Sequence, residues 1–333
     1  MLLDNPYLKL LRIPNIFTVP SDIILGFLIA HFAFQGAVIF GTSESNLEEL
    51  VILIFSSISL YLGGLVSNDL FDIKTDKIER PTRPLSSGRV QERHAIFLMI
   101  ALFCAGFFLS FFVNIIAVGI SGTLVLSILV YNYKLKSGFF RPFLMGGIRA
   151  LNVFYGFSIL FGFSSQTPNN VTFPPSFNPA YLEPTILLLL LLALGSVFFH
   201  VFVLTWISSK ETRREFDDKQ VKVASVKNVY YTYIIFLVIV GFFGSFLVVH
   251  LQEYLIFIVA IAIVVTFIYH KAQTLQRHLQ GSLIMQFIVK NMLLLLILLD
   301  SAFIAGLSGP IAGISTALLI LPSIYLSKRI SMT

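Results

Sequence analysis

Long apolar runs alternate with short polar segments along nearly the whole chain, and no break in the pattern marks a soluble domain. A helix that crosses a bilayer needs about 20 mostly apolar residues. The pattern predicts such helices at 15–39, 49–70, 94–114, 116–133, 143–163, 184–207, 230–250, 254–270, 284–305 and 309–327. Several contain Gly and Pro, which membrane helices tolerate better than soluble ones. The expected fold class is all-α, a polytopic transmembrane helical bundle, with residues 1–333 forming a single integral-membrane domain.

Composition agrees. Of 333 residues, 56% are hydrophobic and 12% charged, and the mean hydropathy is +0.88. Soluble domains carry about a quarter charged residues, so much of this apolar surface is expected to face lipid. The 34 Phe residues suit lipid contact and also an apolar cavity for a long hydrocarbon. The lone Cys104 excludes a disulfide framework or a Cys-based metal site within one chain. The opening MLLDNPYLKLLRIPN lacks the ordered parts of a cleaved signal peptide and is expected to stay on the protein.

Charge placement adds topology. Threading the spans alternately puts every Lys and Arg on the side of the N-terminus, or in a helix end near it. The opposite loops, near 40–48, 115, 164–183, 251–253 and 306–308, have none, and Glu44, Glu48, Glu49, Glu183 and Glu253 lie in or beside them. Positive charge marks the cytoplasmic side. Both termini are therefore expected in the cytoplasm, with an even number of spans. The net charge of +6 is a topology signal, and no nucleic-acid partner is expected.

Two inner loops carry candidate chemistry. In the first, Asn68, Asp72 and Asp76 are spaced i, i+4, i+8, which puts their oxygens on one helix face, and Asp69 lies close to it. In the second, Glu211 and Glu215 are again i, i+4, and Asp218 is i+7. Oxygen-only ligand sets without His or Cys favour Mg²⁺ over Zn²⁺. The surrounding Lys and Arg make sense if the bound species is a polyanion such as a diphosphate. The expected site is a metal-bridged diphosphate at the membrane boundary, its hydrocarbon tail in the membrane. The plain alternative is two solvated, charge-rich loops.

The run NDLFDIKTD followed by ERPTRPLSSGRV resembles the first aspartate-rich motif, and its RPxRPLxSG-type continuation, of the UbiA prenyltransferase superfamily. Arg12 and Asn15 are similar to that family's early Arg and Asn. Tyr131-Asn-Tyr-Lys-Leu-Lys136 resembles its Tyr/Lys segment, and Gly147, Arg149 and Asn152 resemble the Gly/Arg segment that follows. The second motif departs from the family's Asp-x-x-x-Asp: Glu211 and Glu215 keep the spacing, and Asp217 or Asp218 is the alternative ligand. The family's bundle has nine spans. Here a tenth, 309–327, follows Asp300, and this ending and the second motif resemble the EboC-like branch.

The resemblance implies Mg²⁺-dependent transfer of a prenyl group from a polyprenyl diphosphate to a lipophilic, preferentially aromatic, acceptor. The site is expected on the cytoplasmic side, in the plasma membrane if the host is prokaryotic, with membrane lipid as a further partner. Asn68, Asp69, Asp72, Asp76, Glu211, Glu215 and Asp218 are the implied metal ligands. Asn15, Arg83, Lys134, Lys136 and Arg149 are the implied diphosphate-binding residues. Asp72, Asp76 and Tyr131 are the implied catalytic residues, with the Tyr131 ring steadying an allylic cation. His200 and Asp300, inside spans, are expected to make structural hydrogen bonds, with Asp300 near the outer end. Asn170-Val171-Thr172 fits a glycosylation acceptor. A lipid carrier and a non-catalytic scaffold are the competing functions.

Overall fold

The computed structural model describes residues 5–35, 44–134, 140–162, 183–211, 219–275 and 281–327. Among these residues all regular structure is helical. The order is α1 (Pro6–Leu10), a 3-10 turn (Ile13–Phe17), α2 (Thr18–Gln35), α3 (Glu44–Phe71) and α4 (Ile73–Glu79). It continues with α5 (Glu92–Ser110), α6 (Ile115–Lys134), α7 (Phe140–Phe157) with a 3-10 extension (Ser158–Phe161), and α8 (Pro184–Glu211). The last elements are α9 (Lys219–Gly244), α10 (Leu251–Leu275), α11 (Gly281–Ser308), α12 (Pro310–Ala317) and α13 (Ile320–Ser327).

Ten spans among the described residues are long and apolar enough to cross a bilayer, the tenth built from α12 and α13 together. The protein is an integral membrane protein. Several expected boundaries shift by a few residues, and two of the shifts have a polar reason. The third span stops at Ser110 because Asn114 caps the next helix. Its Oδ1 accepts from Ala117 N–H at 2.8 Å, and its Nδ2 donates to the Ser158 carbonyl at 2.9 Å. The seventh span stops at Gly244 rather than near 250. Beyond it the Val249 and His250 N–H groups leave the helix and bind the Gly306 carbonyl at 3.0 and 2.8 Å.

Helix α2 is the centre of the bundle and packs against α3, α7, α8 and α11. It lies close against α7 because Gly26 and Gly156 carry no side chain. A Cβ on Gly26 would overlap the Val153 carbonyl oxygen, and one on Gly156 would overlap the Ile23 carbonyl oxygen. Small residues at such crossings let helix backbones touch. Gly26→Ala is expected to lose about 1–3 kcal/mol of stability through overpacking. Gly119→Ala, where nothing lies within 4 Å of a new Cβ, is expected to melt like wild type in detergent.

The first and tenth spans meet. The Ser323 hydroxyl of α13 donates to the Pro14 carbonyl at 2.7 Å, so the end of the tenth span closes against the start of the first.

Candidate functional site

The first acidic motif sits where α3 hands over to α4. Asp72 occupies the junction with φ −93° and ψ 2°, outside the regular helix. The hydrogen-bond ladder nonetheless runs through it. Asp72 N–H binds the Asn68 carbonyl at 3.0 Å, and Asp76 N–H binds the Asp72 carbonyl at 2.8 Å. The i, i+4, i+8 register read from the sequence is thereby kept across the bend.

The four residues differ in environment. Asp69 and Asp76 are buried, whereas Asn68 and Asp72 are half-buried. Asp69 Oδ1 receives Arg12 Nη2 at 2.6 Å, Arg83 Nη1 at 3.5 Å and Asn68 Nδ2 at 3.4 Å. Arg83 Nη1 also donates to Asp76 Oδ2 at 2.7 Å. Arg83 therefore clamps two carboxylates of the motif, and Arg12 holds one of them from the far side. Charge-assisted bonds of this kind are the strong ones, and they fix side-chain direction.

Local sequence explains the clamp. Arg12 has φ +43°, in the left-handed region that costs a non-glycine residue about 1–2 kcal/mol. That kink ends α1 and turns the Arg12 guanidinium toward Asp69. On the other side, residues 80–91 fold into a tight knot. The Ser87 N–H binds the Arg83 carbonyl at 2.9 Å, and the Val90 N–H binds the Pro84 carbonyl at 3.0 Å. Gly88 supplies the turn at φ +74°. Leu85 and Val90 bury themselves with Leu10, Val66 and Ala95, which anchors the knot and holds Arg83 over the motif.

Helix α6 approaches the same end of α3. Asn132 Nδ2 donates to the Gly64 carbonyl at 3.1 Å and to Ser67 Oγ at 2.9 Å, one residue before Asn68. Its neighbour Tyr131 accepts from Arg141 Nε at 3.2 Å, and the Arg141 guanidinium lies 5.8 Å from the ring centre. The Tyr131 ring thus already meets a cation. Asn15 is buried in the 3-10 turn beside Tyr61.

Arg149 stands elsewhere. It is buried in the interior of its span and pairs with Asp22 Oδ2 at 2.9 Å. It also donates to Thr18 Oγ1 at 2.8 Å and the Thr18 carbonyl at 3.3 Å, with its guanidinium 5.2 Å over the Tyr61 ring. The structure brings it together with Asp22 and Asn152, not with Asp69 and Asp76. Asp22 was missed by sequence reasoning. A single Asp inside an apolar span was the available signal, since such residues have a function or a partner by default. Asp300 is expected to make structural hydrogen bonds; its polar neighbours are the Ser21 hydroxyl and the Asp22 carboxyl, and among the described residues neither of its oxygens has a donor within 3.5 Å. His200 is fully engaged: Nε2 meets the Met292 carbonyl at 2.9 Å and Nδ1 meets the Tyr233 hydroxyl.

Helix α8 ends at Glu211, but the Glu211 side chain, Glu215, Asp217 and Asp218 lie outside the described residues. So do the Lys134 side chain, Lys136 and Asn170-Val171-Thr172. Among the described residues no three His, Cys, Asp or Glu side chains converge as a metal site. Asn68, Asp72 and Asp76 are a hard-oxygen donor set of the kind that Mg²⁺ takes, with the remainder of its shell from water and phosphate.

A membrane bundle with ten spans among the described residues, and an arginine-clamped acidic motif at one end of α3, defines the class as polytopic helical membrane proteins. The profile of the UbiA prenyltransferase family matches residues 28–293, most of the chain, and the protein belongs to that family. Among curated relatives, the digeranylgeranylglyceryl phosphate synthase of Saccharolobus solfataricus is 34% identical over 153 residues, 45% of this chain and 50% of that protein. The Thermococcus kodakarensis protein of the same name is 37% identical over 97 residues, 28% of this chain and 35% of that one. The chain spans about half the length, or less, of these relatives. Two solved structures share the fold. A UbiA homolog from Aeropyrum pernix K1 superposes with a TM-score of 0.58 at 15% identity, over 87% of this chain and 97% of that one. One from Archaeoglobus fulgidus, bound to GPP and Mg²⁺, gives 0.54 at 14% identity, over 97% and 99%.

Proposed function

We propose that this protein is a Mg²⁺-dependent prenyltransferase that moves a prenyl group from a polyprenyl diphosphate to a lipophilic acceptor, with its site on the cytoplasmic side. The observation that carries the reading is the arginine-clamped motif at the α3–α4 junction, within a match to the family profile over residues 28–293. Arg12 and Arg83 hold Asp69 and Asp76, and Asn68 and Asp72 stand on the same helical register at the half-buried boundary. The GPP and Mg²⁺ bound to the Archaeoglobus homolog support the donor and the metal.

Asn68, Asp72 and Asp76, with Glu211, Glu215 and Asp218 from the second loop, are the residues that would hold Mg²⁺. When bound there, Mg²⁺ would supply positive charge to offset that growing on the leaving diphosphate. Arg83 keeps the carboxylates of the first motif in place and, with Lys134 and Lys136, offers positive charge to the diphosphate. The apolar bundle keeps water from the allylic carbon as its bond to oxygen weakens. Tyr131 lies beside the same end of α3, where its ring face suits a developing cation. The names of the curated relatives favour a glycerophosphate lipid acceptor over an aromatic one.

The test uses purified protein with Mg²⁺, labelled geranylgeranyl diphosphate, and either a prenylated glycerol phosphate or a quinone-precursor aromatic as acceptor. Wild type is expected to form a labelled lipid. Asp72→Ala is expected to lower the rate at least about 100-fold, the scale of removing a group that stabilises transition-state charge, while keeping its melting temperature. Consumption of no prenyl diphosphate with any acceptor would instead favour the lipid carrier. An Asp72→Ala protein that keeps its cellular role would favour the scaffold.

A further inference from the structure

Among the described residues, three carboxylate oxygens in the middle of the bundle have no hydrogen-bond donor within 3.5 Å. Asp22 of α2 and Asp300 of α11 are both fully buried, and each lies inside a membrane span. Asp22 Oδ2 is satisfied by Arg149 and by Asn152 Nδ2, both at 2.9 Å. Among the described residues Asp22 Oδ1 and both oxygens of Asp300 have no partner within 3.5 Å, and the two carboxyl groups are neighbours across the contact of α2 with α11.

Among the described residues the neighbouring donors are already engaged: Ser21, which lies beside Asp300, has one hydroxyl hydrogen, and the Thr18 carbonyl 3.1 Å away competes with Asp300 for it. Arg149 of α7 directs its remaining described bonds to Thr18. Tyr61 of α3 lies under the Arg149 guanidinium, and Arg12 beyond it is paired with Asp69. His200 of α8 is committed to Tyr233 and the Met292 carbonyl. One full positive charge therefore faces two carboxylates, leaving a net charge of −1 if both are ionised. Such a charge is costly in a membrane core. Two neighbouring acceptor-only groups without a donor of their own lack one hydrogen.

The geometry points to a proton-binding site in the middle of the bundle: Asp22 Oδ1 and the Asp300 carboxylate share one proton, bringing the Asp22–Arg149–Asp300 cluster to zero net charge. The proton comes from water, forms an O–H bond on one carboxyl group and a hydrogen bond to the other, and no other bond changes. A metal cation fits less well. It would require several more oxygen ligands, and the nearby helical carbonyls are engaged in their own ladders. The site does not depend on the transfer reaction proposed above, and neither Asp22 nor Asp300 belongs to the acidic motifs.

The test is infrared spectroscopy of the full-length protein in lipid nanodiscs near neutral pH, in H₂O and D₂O. Wild type is expected to show a protonated-carboxyl C=O band that moves to lower frequency in D₂O. Asp22→Asn and Asp300→Asn are each expected to remove it. Asp300→Asn is expected to fold as a monodisperse protein, because its carboxamide N–H replaces the shared proton as donor to Asp22 Oδ1. Asp300→Leu carries the test alongside it should Asp22→Asn fail to fold, since it leaves a neutral Asp22–Arg149 pair and is also expected to lack the band. Absence of the band from wild type, or its survival in the Asp300 variants, overturns the proposal. So does a sodium-dependent rise in melting temperature against choline that Asp300→Asn abolishes, which would assign a metal cation instead.

Discussion

Arg149→Ala is expected to be the most damaging single truncation in the bundle, lowering stability by about 3–5 kcal/mol, the cost of stripping the partner from a buried ion pair. It removes the cation that faces Asp22 and Asp300, and it leaves Thr18 and the Tyr61 ring without their contact. Thermal unfolding in detergent measures the loss. The double variant Arg149→Ala/Asp22→Asn is expected to regain a large part of it, because the second change deletes the stranded charge. Arg149→Lys is expected to fall between, keeping the charge but not the planar fork that reaches Asp22 and Thr18 together. Wild-type melting of Arg149→Ala would mean that the pair contributes little.

Arg83→Ala is expected to act on both stability and turnover. It frees Asp76 Oδ2 and one of the contacts of Asp69, both carboxylates being buried. Loss of about 3 kcal/mol is expected from the broken pairs. In the transfer assay the rate is expected to drop by roughly 100-fold or more, because fixed charges aimed at a reacting phosphate are worth that much. Arg83→Lys separates the two effects: a lysine restores charge near the motif, but its ammonium lacks the fixed planar direction with which Arg83 Nη1 reaches both Asp69 and Asp76. Normal turnover in Arg83→Ala at a temperature where it stays folded would remove Arg83 from the site.

The spans were legible because the bilayer imposes one strong rule, a run of apolar residues long enough to cross it. The rule does not see Asn114, whose two backbone bonds end a span inside a continuous apolar run. The acidic motif was legible from spacing, since the register of a helix survives even the bend at Asp72. How its carboxylates divide was not. Arg12 lies 57 residues from Asp69, and nothing in a single sequence pairs them. Asp22 is the sharper case. It reads as one polar letter in an apolar run, and its partners Arg149 and Asn152 are 127 and 130 residues away. Arg149 is expected at the diphosphate from its resemblance to the family's Gly/Arg segment, and the crossing of α2 and α7 at Gly26 and Gly156 brings it to Asp22.

That pairing over 127 residues bears on biogenesis. Helix α2 leaves the ribosome carrying an aspartate whose counter-charge has not yet been translated. At roughly 5–20 residues per second, Arg149 follows about 6–25 s later, and Asp300 later still. Lipid is a poor place for a lone carboxylate to wait. A nascent first span can therefore enter the bilayer at least cost with the Asp22 carboxyl protonated, exchanging that neutral state for the ion pair once Arg149 is in place.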